Sequence, residues 1–274
     1  MTPDDALAPD TEARLLEQLF AYPPQRICLD NGLTVITRED RSAELVSVQA
    51  WVKTGSIHEQ VHTGSGLSHF LEHMLFKGTE KRGPLDISRE VHAFGGYINA
   101  YTSYDRTVYY IDAPVEAAHE AYAILADMTL SARIPNEDFL SERDVILREI
   151  AMGADDPDRQ LFYHFAETAF RAHPYRYPVI GLKPLFAEVT REVLYDYYRA
   201  RYQPSNLVVV VVGALTSQEA CALAEETFGQ APLRHTARVT VEPEPAQLAS
   251  RTVRARSDVN IVRGMLGYKV PGLS

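Results

Sequence analysis

The stretch "GLSHFLEHMLFKGTE" (66–80) constrains the fold more tightly than any other. At 3.6 residues per turn, Leu67, Phe70, Leu71, Met74 and Leu75 cover most of a helical surface, and such a helix must be enclosed by other elements. His69, Glu72 and His73 fall at i, i+3 and i+4, together on the remaining face. A carboxylate and two imidazoles in an apolar setting are costly unless something pairs with them. Two imidazoles one turn apart can share a metal ion, and zinc favours imidazole nitrogen. Glu72 need not be a ligand; beside an activated water it can serve as general base. The competing reading is a pair of hydrogen-bonded core histidines.

A zinc that keeps one position open for chemistry needs a third protein ligand. In "NEDFLSERDVILREIAMG" (136–153), Glu142 and Glu149 stand two turns apart, with Val145 and Ile146 between them on the same stripe. That stripe is apolar, whereas Arg143, Asp144 and Arg148 mark the solvent side. Glu149 as ligand, with Glu142 supporting the site from behind, fits this placement. The other histidines show no paired spacing, although His58 and His62 lie shortly before the motif.

The rest of the chain reads as strands alternating with groups of helices. A short helix is expected over 11–20, then a hairpin over 26–40 turning at Asn31-Gly32. A third strand occupies 44–56, a helix 85–96, and one or two strands 97–114. Three helices follow near 115–132, 136–152 and 157–171, then a proline-rich loop over 171–184. Thr190 caps a helix reaching Tyr202, "NLVVVVVGAL" (206–215) is a buried strand, and Thr216 caps a helix ending near Gly229. Residues 233–250 read as a linker. Strand-like alternation resumes over 251–272 as a faint echo of 26–55. Together these indicate an α+β layer structure.

Composition excludes several classes. There are 37 acidic against 27 basic residues, a net charge of −10, which argues against a nucleic-acid partner. The two cysteines, Cys28 and Cys221, sit in no paired motif, so neither a disulfide framework nor a cysteine zinc site is expected. Residues 1–20 are acidic and lack a signal-type apolar core, and no apolar run approaches the ~18 residues of a membrane span. No membrane partner and a cytoplasmic location are the resulting expectations.

"HFLEH" within "GLSHFLEHMLFKGTEKR" is the inverse of the thermolysin-type motif, the mark of inverzincins. With "GGYINAYTSYDRTVYY" (95–110), "HPYRYPVIG" (173–181) and "YYRARYQPSNLVVVVVGAL" (197–215), the sequence resembles the pitrilysin (insulinase-type) family of zinc peptidases, mitochondrial processing peptidases among them. The resemblance runs from about residue 26 to the end. It implies a LuxS/MPP-like α+β fold, a mostly antiparallel sheet packed against helices. It also implies one zinc on His69, His73 and Glu149, with Glu72 as general base and Glu142 behind the ligands. The family's third ligand stands at the spacing seen here, where 75 residues lie between His73 and Glu149. A peptide substrate would add as a strand along Asn99, Ala100 and Tyr101; an ordinary core strand is the alternative there.

Family enzymes have two homologous halves. The resemblance places the zinc-bearing half at 1–232, a linker at 233–250, and the opening strands of a second half at 251–274. The expected function is therefore a zinc metallopeptidase acting on peptides or small unfolded polypeptides, completed by a second half from the same or another chain, with a homodimer as one arrangement. The alternative is a non-catalytic subunit of such an assembly.

Overall fold

The computed structural model describes residues 22–270, and the helix expected over 11–20 lies outside them. Six strands form one sheet in the order β1-β2-β6-β3-β5-β4. They are β1 (Gln25–Cys28), β2 (Thr34–Glu39), β3 (Leu45–Val52), β4 (Tyr97–Thr102), β5 (Thr107–Pro114) and β6 (Leu207–Gly213). All neighbours are antiparallel except β2 and β6, which run parallel. The architecture is α+β, a mostly antiparallel sheet packed against helices, as the sequence indicates.

The β1–β2 hairpin turns where expected. Gly32 has φ +85°, a left-handed conformation that glycine adopts freely. Asn31 locks the turn from within: its Nδ2 donates to the Phe228 carbonyl at 2.9 Å, and its Oδ1 accepts from the Leu33 N–H at 3.1 Å. The valine run of β6 is long enough to pair on both sides, so it lies between β2 and β3 near the middle of the sheet. Its alternate residues Leu207, Val209 and Val211 are buried, and Val208, Val210 and Val212 are only half-buried.

One face of the sheet is roofed by helices. The helix α3 (Ala118–Leu130) crosses β3 and β5 with Ala121, Tyr122, Ile124, Leu125 and Met128 fully buried. The motif helix α1 (Leu67–Leu75) packs between β4 and three helices: α4 (Asn136–Ala154), α6 (Lys183–Ala187) and α7 (Arg191–Arg201). Phe70 is the hinge of that packing; its ring lies 4.9 Å from Phe139 and 5.2 Å from Phe186, centroid to centroid. Burying a side chain of this size stabilises the fold by about 1.5–3 kcal/mol. The remaining helices are α2 (Asp86–Ala93), α5 (Pro157–Ala169) and α8 (Ser217–Thr227). Both hydroxyl caps form: Thr190 accepts from the Val193 N–H, and Thr216 shares a reciprocal capping box with Glu219.

One expectation fails. The alternation expected over 251–272 produces no strand among its described residues; residues 231–270 contain neither helix nor strand. A strand needs a partner ladder, and this stretch lies along α5 instead of along a sheet edge. Arg251 Nη1 donates to the carbonyls of Thr168 and Ala169, Arg263 pairs with Asp158 at 3.0 Å, and Gly267 is packed on the Phe165 ring.

Candidate metal centre

The apolar residues of α1 are fully buried, whereas His69, Glu72 and His73 are half-buried on the side facing α4 and β4. The helix begins at Gly66, whose φ of +75° and contact with the Ile180 carbonyl leave no room for a side chain. A glycine has no side chain with which to cap a helix, so the cap comes from a distance. The buried Glu59 carboxyl accepts from the Gly66 N–H at 3.2 Å and the Ser68 N–H at 3.0 Å. Ser68 Oγ is also hydrogen-bonded to the Tyr197 hydroxyl at 2.8 Å, tying α1 to α7.

From this fixed helix, His69 and His73 extend side by side, their ring centroids 4.6 Å apart. Glu149, from the second-to-last turn of α4, brings Oε2 to 3.8 Å from His69 Nε2 and 3.9 Å from His73 Nε2. The donor atoms of His69, His73 and Glu149 all lie within 4.8 Å of one another. These separations are too long for hydrogen bonds. They are close to the ~3.3–3.4 Å between adjacent donors of a tetrahedral zinc with bonds of roughly 2.0–2.1 Å.

The surrounding groups set the lone pairs. His73 Nδ1 is hydrogen-bonded to Glu142 Oε1 at 2.8 Å, so that ring carries its proton on Nδ1 and leaves Nε2 free to bind. The bond from His73 first, and Lys77 second, hold the Glu142 carboxyl below its ordinary value against the effect of burial. Lys77 Nζ reaches Glu142 Oε2 at 2.5 Å. Burial, reinforced by the neighbouring His73 and Arg159, pushes the His69 imidazole down to about 3, so it is neutral across the physiological range. Two imidazole nitrogens and one carboxylate oxygen thus converge on one point. This set fits a zinc ion.

Glu72 sits on the same helix beside these donors without joining them. Burial raises its pKa above the ordinary glutamate value, and a hydrogen bond from Thr102 works the other way. Thr102 Oγ1 donates to Glu72 Oε2 at 2.5 Å. Thr102 closes β4, the outermost strand, whose far side has no strand partner among the described residues. Asn99 and Tyr101 project to the exposed face of that strand and Ala100 to the inner one. The Ala100 N–H donates to the Asn99 side-chain oxygen at 2.8 Å. Arg106 packs over Trp51 and Tyr101, at 5.6 and 6.0 Å from the ring centroids.

The structure brings His69, His73 and Glu149 together, with Glu142 bonded to the far side of the His73 ring and Glu72 on the same helix. His58 instead caps its own turn, accepting from the Gly55 N–H at 3.1 Å, and His62 is exposed. Sequence reasoning did not single out Lys77 or Thr102. Lys77 carries a readable signal, because it follows His73 by one turn on the same face. Thr102 carries none, because its proximity to Glu72 arises only once β4 packs against α1.

An α+β sheet bearing a helix-borne His-x-x-Glu-His and a distant Glu has the donor set of inverzincin-type metallopeptidases. The family model for insulinase, peptidase family M16, matches residues 34–183, and that for the M16 inactive domain matches residues 188–274. The chain belongs to peptidase family M16. It is 36% identical over 261 residues to an uncharacterised zinc protease of Mycobacterium tuberculosis, covering 92% of this chain and 58% of that protein. It is 32% identical over 237 residues to the human mitochondrial-processing peptidase subunit beta, covering 86% of this chain and 48% of that one. The structure of a protease from Helicobacter pylori superposes with a TM-score of 0.80 at 28% identity, over 84% of this chain and 56% of that chain. The chain therefore spans about half the length of the curated relatives it matches.

Proposed function

We propose that this chain is the metal-bearing half of a zinc endopeptidase that hydrolyses peptides or small unfolded polypeptides. The observation that carries the reading is the convergence of His69, His73 and Glu149 beside a separate, half-buried Glu72 and an open strand edge. Zinc, when bound by those three residues, supplies Lewis-acid polarisation and makes water acidic enough to ionise near neutral pH. Glu72, anchored through Oε2, takes the proton from the attacking water and returns it to the nitrogen of the leaving amine. Burial lifts its basicity above that of a free carboxylate, which suits it to both transfers. Glu142 and Lys77 keep the His73 ring turned toward the site.

The substrate backbone adds to β4 along Asn99, Ala100 and Tyr101, replacing the internal bond from the Ala100 N–H with one to the peptide. Backbone pairing of this kind accepts many side chains. A second homologous half, from the same or another chain, closes over the site and completes the substrate clamp. The chain's span of about half the length of its curated relatives supports this part of the reading.

The test compares wild type with Glu72→Gln, each loaded with zinc and assayed on quenched fluorescent peptides with the second half present. Wild type is expected to cleave, with one zinc per chain by elemental analysis. Glu72→Gln should keep that zinc and lose turnover by about 10²–10⁴-fold. Undiminished cleavage by the zinc-loaded variant would sink the assignment.

A further inference from the structure

Glutamate reaches its functional position through three rotatable bonds, and an unrestrained carboxylate samples several rotamers. Among the described residues, Glu72 is restrained through Oε2, by the hydroxyl of Thr102. Threonine is stiff at χ1, because two heavy atoms branch from its Cβ. Its backbone is equally well fixed. Thr102 pairs with Thr107 at the end of the β4–β5 ladder, and the turn beyond is closed by the Ser103 N–H donating to the Arg106 carbonyl at 2.8 Å. Thr107 in turn donates through Oγ1 to the Thr54 carbonyl at 3.0 Å. The hydroxyl therefore acts as a rigid post. By bonding Oε2 it leaves Glu72 Oε1 as the oxygen able to face a water.

Resting on the peptidase reading above, we infer that Thr102 is a positioning residue that sets the geometry of the Glu72 general base. The strand proposed to receive the peptide backbone is the strand whose last residue holds the base.

The experiment uses the intact protein with zinc, comparing wild type, Thr102→Val, Thr102→Ser, Glu72→Gln and the double variant. Valine keeps the branched shape and strand preference while removing only the donor; serine keeps the donor. Thr102→Val is expected to lower kcat by about 10–100-fold, the usual range for loss of a supporting hydrogen bond around a metal site. Zinc stoichiometry should remain one per chain. Affinity for an uncleaved peptide, measured in the Glu72→Gln background, should be the same with threonine or valine at 102. Thr102→Ser should recover most of the lost rate, and the double variant should be no slower than Glu72→Gln alone. A Thr102→Val protein with wild-type kcat overturns the inference, as does a loss of rate accompanied by loss of zinc or of peptide affinity. If wild type cleaves and Glu72→Gln does not while Thr102→Val is fully active, the inference alone fails. If zinc-loaded wild type cleaves nothing, the peptidase reading itself falls.

Discussion

Glu59 shows how much a single buried carboxyl can bear on the site. It lies outside the His-x-x-Glu-His motif, yet it holds the first turn of α1 from which all three motif side chains project. Burial raises its pKa to about 8, outweighing the hydrogen bonds from Ser68, Gly66 and Gly64 that favour ionisation. The ordinary value is 4.5, so between roughly that pH and 8 the folded protein holds a proton that the unfolded chain has released. A folded state that binds more protons loses stability as pH rises, so this residue's contribution is fully present below the ordinary value and declines toward pH 8. Glu59→Gln should remove that slope while retaining an acceptor for one backbone N–H. In thermal melts, the difference in Tm between Glu59→Gln and wild type should shift in the variant's favour from pH 5 to pH 8. A difference that stays constant over that range would show that Glu59 does not titrate in this window. His69 and Glu142 illustrate the complementary device, in which a group is held in the form that the site uses, neutral by burial in one case and ionised by its His73 hydrogen bond in the other.

At the level of elements, β4 is the strand to interrogate. Among the described residues its partner ladder is on the β5 side only, and proline is tolerated in a strand where the N–H faces away from the ladder. The Ala100 N–H donates to a side chain of its own strand, which marks it as the group to remove. Ala100→Pro is expected to leave zinc content unchanged and to raise KM for a cleaved peptide by about tenfold, roughly the value of one net hydrogen bond. An unchanged KM would place the peptide elsewhere. The edge position of β4 also marks the limit of what the sequence discloses. The strand's composition makes it a strand, and the His69–Glu72–His73 face follows from helical periodicity alone. Glu149 could be placed on an apolar stripe, because Ile146 and Glu142 share it and are buried. Sheet order is different: β2 and β6 are parallel neighbours far apart in sequence, and nothing local in "LTVITRED" or "NLVVVVVGAL" encodes that pairing. The Thr102–Glu72 bond depends on that assembled order and is invisible for the same reason.

On the scale of the whole molecule, the segment 231–270 explains why local alternation misleads. Its side chains alternate as a strand's would, but it is held by contacts along α5 and through a half-buried acid of its own, Glu244. One oxygen of Glu244 accepts the N–H groups of Arg171, Ala172 and His173 at 2.8, 2.9 and 3.1 Å; the other meets Lys269 at 3.0 Å and Arg251 at 3.5 Å. Burial alone would raise its pKa, but the N–H groups of Ala172 and His173, with Lys269 and Arg171, hold it well below the ordinary 4.5. A depressed carboxyl stabilises the folded arrangement above its unfolded pKa and loses that contribution only as pH falls through the lower folded value. The latch is therefore fully formed at neutral pH and persists into acid. Beyond it, Val262, Leu266, Tyr268 and Val270 are left largely exposed. Removing the latch should free the segment without opening the sheet, whose core among the described residues contains none beyond Phe228. Glu244→Ala is accordingly expected to speed tryptic cleavage at Arg251, Arg254 and Arg256, while the protease-resistant remainder keeps a Tm close to wild type. If cleavage there is no faster, the segment is held by its contacts along α5 and not by Glu244. If instead the remainder melts markedly lower, the segment is part of the cooperative fold, and the metal-bearing half extends further along the chain than Phe228.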